Sequence, residues 1–379
     1  MKSALRWVKM VNIPKLILNA GLQLLRPSEQ IIDWRQVVLN AANVSDAKFW
    51  PEDEKRGLSS MYAEFTDESI PEIAELTGLQ FGPIKNIKVF DRYDWIEVNV
   101  KAFSEQFAPL EKMVSQQQGS SIIGRGLSKS SQVMSTVGLG FFLGYLAKRV
   151  LGQYDPSLFG REIISGQIYF VEPNIEIVER QLSLTPFEFR KWIAIHEATH
   201  AVVFESASWL KGYMNQLVKD YFEATGKRFG LEEMMSTVEI AAHDFVEGQQ
   251  FSILGMALSR EQIALINRLQ AIMTVVEGYS DYVMNEIGKG TLSTYDYMKH
   301  EFEARRRRKS GREKLFEEVT GLSIKMEQYR IGEWFVRRVS ESRGIEFLNR
   351  VWRSPVDVPD LYEVSHPEKW IARQDGLEN

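Results

Sequence analysis

The stretch KWIAIHEATHAVVF, Lys191 to Phe204, decides how this chain is read. Two of the five histidines in 379 residues, His196 and His200, stand four positions apart in it, with Glu197 directly after the first. Residues four apart lie one above the other on a helix, so the two imidazoles converge on one point. Glu197, about 100° round the axis, reaches the open side of that point. Two imidazoles beside a carboxylate suit a zinc ion that activates water. Glu197 is then the candidate general base, taking a proton from the water and returning it to a leaving amine. The competing reading is two histidines satisfied inside a packed helix.

The flanks argue for the helix. Thr185 suits the cap, Pro186 the first helical position, and Glu188, three residues after Thr185, completes a capping box. The helix therefore starts about three turns before His196. Phe189, Ile193, His196, His200 and Val203 fall on one stripe, with Trp192, Ile195 and Val202 on the adjoining one, so both histidines project from a largely buried surface.

A catalytic zinc needs three protein ligands and a water. The chain has no cysteine, which excludes thiolate ligands and disulfides, so a carboxylate or one of His243, His300 and His366 must complete the set. The best candidate is Glu277, in SREQIALINRLQAIMTVVEGYSDYVMNEIG (Ser259 to Gly288). Ser259 and Gln262 make a capping box there, and Gly288 marks the expected stop. Glu277 shares its stripe with Leu269, Met273 and Met284, where a carboxylate is costly unless a positive charge meets it. Asp281, four residues on, is the candidate to hold the outer N–H of His196 or His200. For a group that meets a developing oxyanion, Tyr329, Tyr279 and His243 are unranked candidates.

The rest of the chain sets bounds. A hydrophobic content of 44% in 379 residues supports one large domain or two lobes, drawn here as a helical lobe over 1–118 and a core over 119–379. With 51 acidic against 46 basic residues and a pI near 5.8, there is no global field for nucleic acid. Five consecutive basic residues, Arg305 to Lys309, are flanked by acids without interleaved aromatics, and read as a solvated helix face. SQQQGSSIIGRGLSKSSQ (Ser115 to Gln132) is the candidate linker. VMSTVGLGFFLGYLA (Val133 to Ala147) is short for a membrane span and reads as a core helix, with Gly140 and Gly144 allowing close packing. GQIYFVEPNIEIV (Gly166 to Val178) carries the clearest strand signal, ended by Pro173, and Asp91 is the expected cap of a helix running past Val100. In the basic opening MKSALRWVKMVNIPKLILNAGLQLL, charges interrupt any secretory core. The expectation is a first helix in a cytoplasmic protein, with membrane-surface contact the less favoured reading and oligomeric state left open.

The chain also resembles a known family. HEATH followed by EGYSD resembles the gluzincin type of zincin-like metallopeptidase, although the step from His200 to Glu277 is much longer than in thermolysin-like enzymes. The stretches DRYDWIEVN, LGYLAKRVLGQYDP, GQIYFVEPNIE, KWIAIHEATHAVVFE, VVEGYSDYVM, KMEQYRIGEWFV and HPEKW are similar to a bacterial and archaeal hydrolase family often labelled as associated with deazaflavin coenzyme biosynthesis. No flavin-binding pattern accompanies that label. The resemblance implies a mainly α fold with a small β-sheet and a zincin-like core around the HExxH helix. It implies zinc held by His196, His200 and Glu277, with Glu197 as base and Asp281 as supporting acid, and a peptide or protein substrate. It also implies that the strand before the zinc helix, Ile168 to Val171, forms the cleft edge. The alternative is a binding or structural protein that keeps the zincin shell without catalysis, and Glu197 separates the two, since only hydrolysis needs it.

Overall fold

A computed structural model describes residues 32–82, 84, 86–117, 122–154, 167–228, 259–307 and 322–376. The fold is mainly α with one small sheet. Helices α1 (Trp34–Ser45) and α2 (Glu52–Thr77) precede β1 (Asn86–Phe90), and α3 (Arg92–Gln117) and α4 (Ile122–Ala147) follow it. Strands β2 (Gly152–Tyr154) and β3 (Gln167–Val171) lead into α5 (Glu172–Leu182), α6 (Pro186–Ser206) and α7 (Ser208–Arg228). Then come α8 (Arg260–Thr291), α9 (Tyr295–Arg307), α10 (Leu322–Arg343) and the short helices α11 (Ile345–Leu348), α12 (Leu361–Ser365) and α13 (Pro367–Gly376).

The sheet order is β1-β3-β2, with β1 parallel and β2 antiparallel to β3. QIYFV is therefore the middle strand, paired on both sides and buried at every position. This corrects the expectation that Ile168 to Val171 forms a cleft edge. A run of four apolar residues is what a strand covered on both faces and both edges looks like, and among the described residues the sheet edge beside the HExxH helix belongs to the three residues of β2.

The principal core wraps α6. Phe170, Phe189, Ile195, Ile272, Val275 and Tyr279 have no exposed surface and belong to one cluster, in which α6 packs against α2, α8 and the sheet. A second cluster lies where α1 meets α3 and α4 around Val37, Ala41, Ile96 and Leu143. Here the expected use of Gly140 and Gly144 is met: a Cβ on Gly140 would fall 2.5 Å from Asn40 Cβ, and one on Gly144 2.6 Å from Val44 Cβ. Asp91 caps α3, accepting from the backbone N–H groups of Tyr93 and Asp94 at 2.8 and 3.0 Å.

Other expectations are corrected. Every described residue of the candidate linker Ser115 to Gln132 is helical, because α3 runs to Gln117 and α4 starts at Ile122. Packing of α4 along α1 outweighs its Gly/Ser-rich start. Gly288 does not end α8, which runs to Thr291; a Cβ there would stand 3.1 Å from Tyr295 and 3.2 Å from Trp192, so the glycine makes room for two rings. The Ser259–Gln262 capping box forms as expected. The box at α6 does not: Thr185 makes no side-chain cap, and Glu188 instead receives the backbone N–H groups of Ser293 and Thr294 at 3.1 and 2.7 Å, capping α9 from another element. The β1–β3 pairing and the α1–α4 and α2–α6 contacts all cross the line drawn between residues 118 and 119. Arg305 is exposed on α9, while Arg308 and Lys309, like the basic opening, lie outside the described residues. Among those described, no helix is long and apolar enough to cross a membrane.

Candidate metal centre

Helices α6 and α8 lie against each other in the core, and their facing stripes bring together the residues singled out by spacing. His196 Nε2 and His200 Nε2 are 3.0 Å apart, and each stands 3.5 Å from Glu277 Oε2. Two imidazole nitrogens and a carboxylate oxygen meeting at this range put lone pairs against lone pairs, an arrangement that needs a cation or shared protons. With bond lengths of about 2.0–2.1 Å, two ligands of a tetrahedral zinc are about 3.3 Å apart, and the three distances bracket that value. The donor set therefore fits a zinc ion, and among the described residues no fourth acidic or imidazole side chain joins the group.

The outer nitrogens are held from α8 as well. Asp281 Oδ1 is 3.4 Å from His196 Nδ1, and Ser280 Oγ is 3.0 Å from His200 Nδ1. Both partners are buried. Glu277, Ser280 and Asp281 sit at i, i+3 and i+4, so one face of α8 supplies the carboxylate and both ring partners. The hydrogen bond at His200 Nδ1, and Asp281 beside His196 Nδ1, leave both Nε2 atoms facing Glu277.

The two glutamates have opposite electrostatics. Burial acts to raise the Glu277 carboxyl, but the charge of His200 and hydrogen bonds from both imidazoles outweigh it and hold the group well below the usual carboxylate range. Burial lifts the Glu197 carboxyl to about 7; Glu277 adds to the rise, and His200 and the Tyr154 backbone oppose it. Glu197 is only 6% exposed and lies against the β2 backbone, where a Cβ on Gly152 would be 2.5 Å from its Oε1. Gly152 is a glycine because the carboxylate occupies the space a side chain would fill.

Of the oxyanion candidates, Tyr279 is two residues from Glu277 and so on the opposite face of α8. Its hydroxyl donates to Asn349 Oδ1 at 2.8 Å, and its ring meets Trp352 edge-on, so it is engaged in packing away from the cluster. His243 and the Tyr329 side chain lie outside the described residues. His300 and His366 are exposed, the first beside Glu301 and the second beside the Tyr362 carbonyl, and neither joins the group. Ser280 and Gly152 were not singled out from sequence. The helical period carries the signal for Ser280, which follows Glu277 by three; nothing local signals Gly152.

Comparison with known proteins agrees with this geometry. Residues 32–371 match the family model described as zincin-like metallopeptidase. A crystal structure from Chloroflexus aurantiacus, described provisionally as a hydrolase with a novel fold, is 33% identical, with a TM-score of 0.66 over 91% of this chain and 99% of that one. No curated protein sequence matches the chain.

Proposed function

The chain belongs to the zincin-like metallopeptidase family, and we propose that it is a zinc-dependent hydrolase that cleaves peptide bonds in a peptide or protein. His196, His200 and Glu277 would hold the ion. Zinc, when bound, supplies Lewis-acid polarisation of the scissile carbonyl and of the attacking water. Glu197, buried beside the donor triangle, would take a proton from the attacking water and hand it to the leaving amine. Ser280, hydrogen-bonded to His200 Nδ1, and Asp281, 3.4 Å from His196 Nδ1, would orient the two rings. Among the described residues β2 has no strand partner on its outer edge, next to Glu197, and that edge would offer backbone groups to an extended chain.

The observation that carries this reading is the triangle of donor atoms with Glu197 beside it and no fourth donor among the described residues. The test is digestion of a mixed peptide library with and without chelator, read by mass spectrometry, alongside metal analysis. Chelator-sensitive cleavage at about one zinc per chain is expected. Zinc-loaded protein that leaves the library intact would favour the non-catalytic alternative, and protein that holds no zinc after reconstitution would remove the metal site.

A further inference from the structure

Two of the stretches that mark this chain, VVEGYSDYVM and KMEQYRIGEWFV, meet where α8 crosses α10. Each brings a glycine. A Cβ built on Gly278 would run into the Gly332 carbonyl and stand 2.6 Å from Glu333 N. A Cβ on Gly332 would run into the Thr274 carbonyl and stand 3.2 Å from Thr274 Cγ2. Both helices therefore touch through their backbones, and neither tolerates even a methyl group without moving apart. Thr274 and Gly278 share one flank of α8, roughly a quarter turn from the Glu277 face.

We propose that Gly332 is a positioning residue for the metal centre: its backbone contact with Thr274 and Gly278 sets the sideways place of α8, and with it the place of Glu277 opposite His196 and His200. The role rests on the zinc reading above. Glu277 precedes Gly278 directly, so a shift of α8 at the crossing passes undiminished to the carboxylate. Relieving the built contact requires a displacement of roughly 1 Å, since carbon atoms pack at about 3.5–4.0 Å. Metal–ligand distances tolerate only about 0.2 Å. The same shift would also carry Ser280 and Asp281 away from the outer nitrogens of the two rings, since they sit on the same turn. Of the three glycines on α8, only Gly278 meets backbone at this range: Gly288 faces the Tyr295 and Trp192 rings and Gly290 has nothing within 4 Å.

The test is zinc affinity by competition with a chromophoric chelator, together with the visible spectrum of the cobalt(II)-substituted protein, which reports ligand geometry. Gly332→Ala should bind zinc at least tenfold more weakly, the scale at which lost ligand support acts, and should alter the cobalt spectrum. Gly290→Ala, on the same helix with nothing within 4 Å, should match wild type. Val339→Ala hollows the core from α10 without pressing on α8; it should lower Tm at least as much while leaving affinity and spectrum unchanged. Equal zinc affinity in Gly332→Ala and wild type, or a loss in Val339→Ala in proportion to its Tm, would overturn the proposal. If Gly332→Ala does not fold, Thr274→Ile enlarges the same contact through a side chain that can turn. Weaker zinc binding is then expected, and unchanged binding overturns the role. A wild type that binds no zinc removes the metal site and this role with it, an outcome distinct from binding that Gly332→Ala leaves intact.

Discussion

A carboxylate among imidazoles can be ligand or base, and the surroundings of Glu277 and Glu197 divide the tasks. Glu277 is held ionised by the two imidazoles that face it, whereas burial against the β2 backbone raises the Glu197 carboxyl, and the proposal makes the first the ligand and the second the base. Glu197→Gln should therefore keep its zinc and fold, yet lose roughly 10² to 10⁴ in rate. Zinc-dependent cleavage that survives the change unaltered would refute the base assignment. Asp281 acts through His196, so Asp281→Ala should weaken zinc binding by about 10–100-fold without abolishing it, and Ser280→Ala, which removes only a neutral hydrogen bond, should do less. Chelator competition on the two variants would settle the order, and an Asp281→Ala protein with wild-type affinity would show the carboxylate to be idle. That His196, His200 and Glu277 would meet, with Glu197 and Asp281 close by, was legible because spacing on a helix fixes direction. The same period places Tyr279 on the far side of α8, so its candidacy conflicts with a rule already in use. Gly152 was illegible for a different reason: the side chain that forbids a Cβ there comes from α6, across the strand edge.

Helix ends show how a local pattern can be right about position and wrong about partner. Thr185 and Glu188 mark the start of α6 correctly, but Glu188 serves α9, where it gathers the N–H and hydroxyl groups of Ser293 and Thr294. Burial opposes ionisation, yet these donors prevail and bring the carboxyl down from 4.5 to about 2. Because the folded value lies below the unfolded one, the stabilisation is fully present above about pH 4.5 and fades as pH falls towards 2. Glu188→Gln should cost about 1–2 kcal/mol at neutral pH, allowing for solvent screening of a half-buried group, and almost nothing near pH 2. Urea unfolding of both proteins across that window checks it; metal release affects the two alike, so their difference isolates the cap. A penalty that stays constant with pH would mean Glu188 acts by packing alone. Strands obey a related asymmetry. QIYFV announces itself because a central strand is apolar throughout, whereas the edge strand GQY is too short and too polar to form a pattern, although it is the one that lies beside Glu197.

At the scale of the whole molecule, helical content and core helices could be read from periodicity, but a sheet that pairs residues 86–90 with 167–171 could not. Long-range pairing leaves no local trace, and the same holds for the contact that matters most here. The candidate ligands come from two helices with largely different neighbours: α6 packs chiefly on α2 and the sheet, while α8 packs chiefly on α7 and α10 as well as on α6. An ion shared by α6 and α8 would therefore tie two sets of elements, and its binding free energy would add to the stability of the assembled state. The unfolded chain lacks a preformed site, so zinc at a hundred times its Kd should stabilise the protein by about 2.7 kcal/mol and raise Tm by several degrees. Removing any ligand should cancel that gain: Glu277→Ala and His196→Ala should melt at the same temperature with zinc or with chelator, even where the substitution itself lowers Tm. Thermal melts of the three proteins under both conditions distinguish this centre from adventitious binding. A rise of equal size in wild type and in both variants would place the stabilising zinc elsewhere on the chain, and then the triangle of His196, His200 and Glu277 would need shared protons rather than a metal to hold it together.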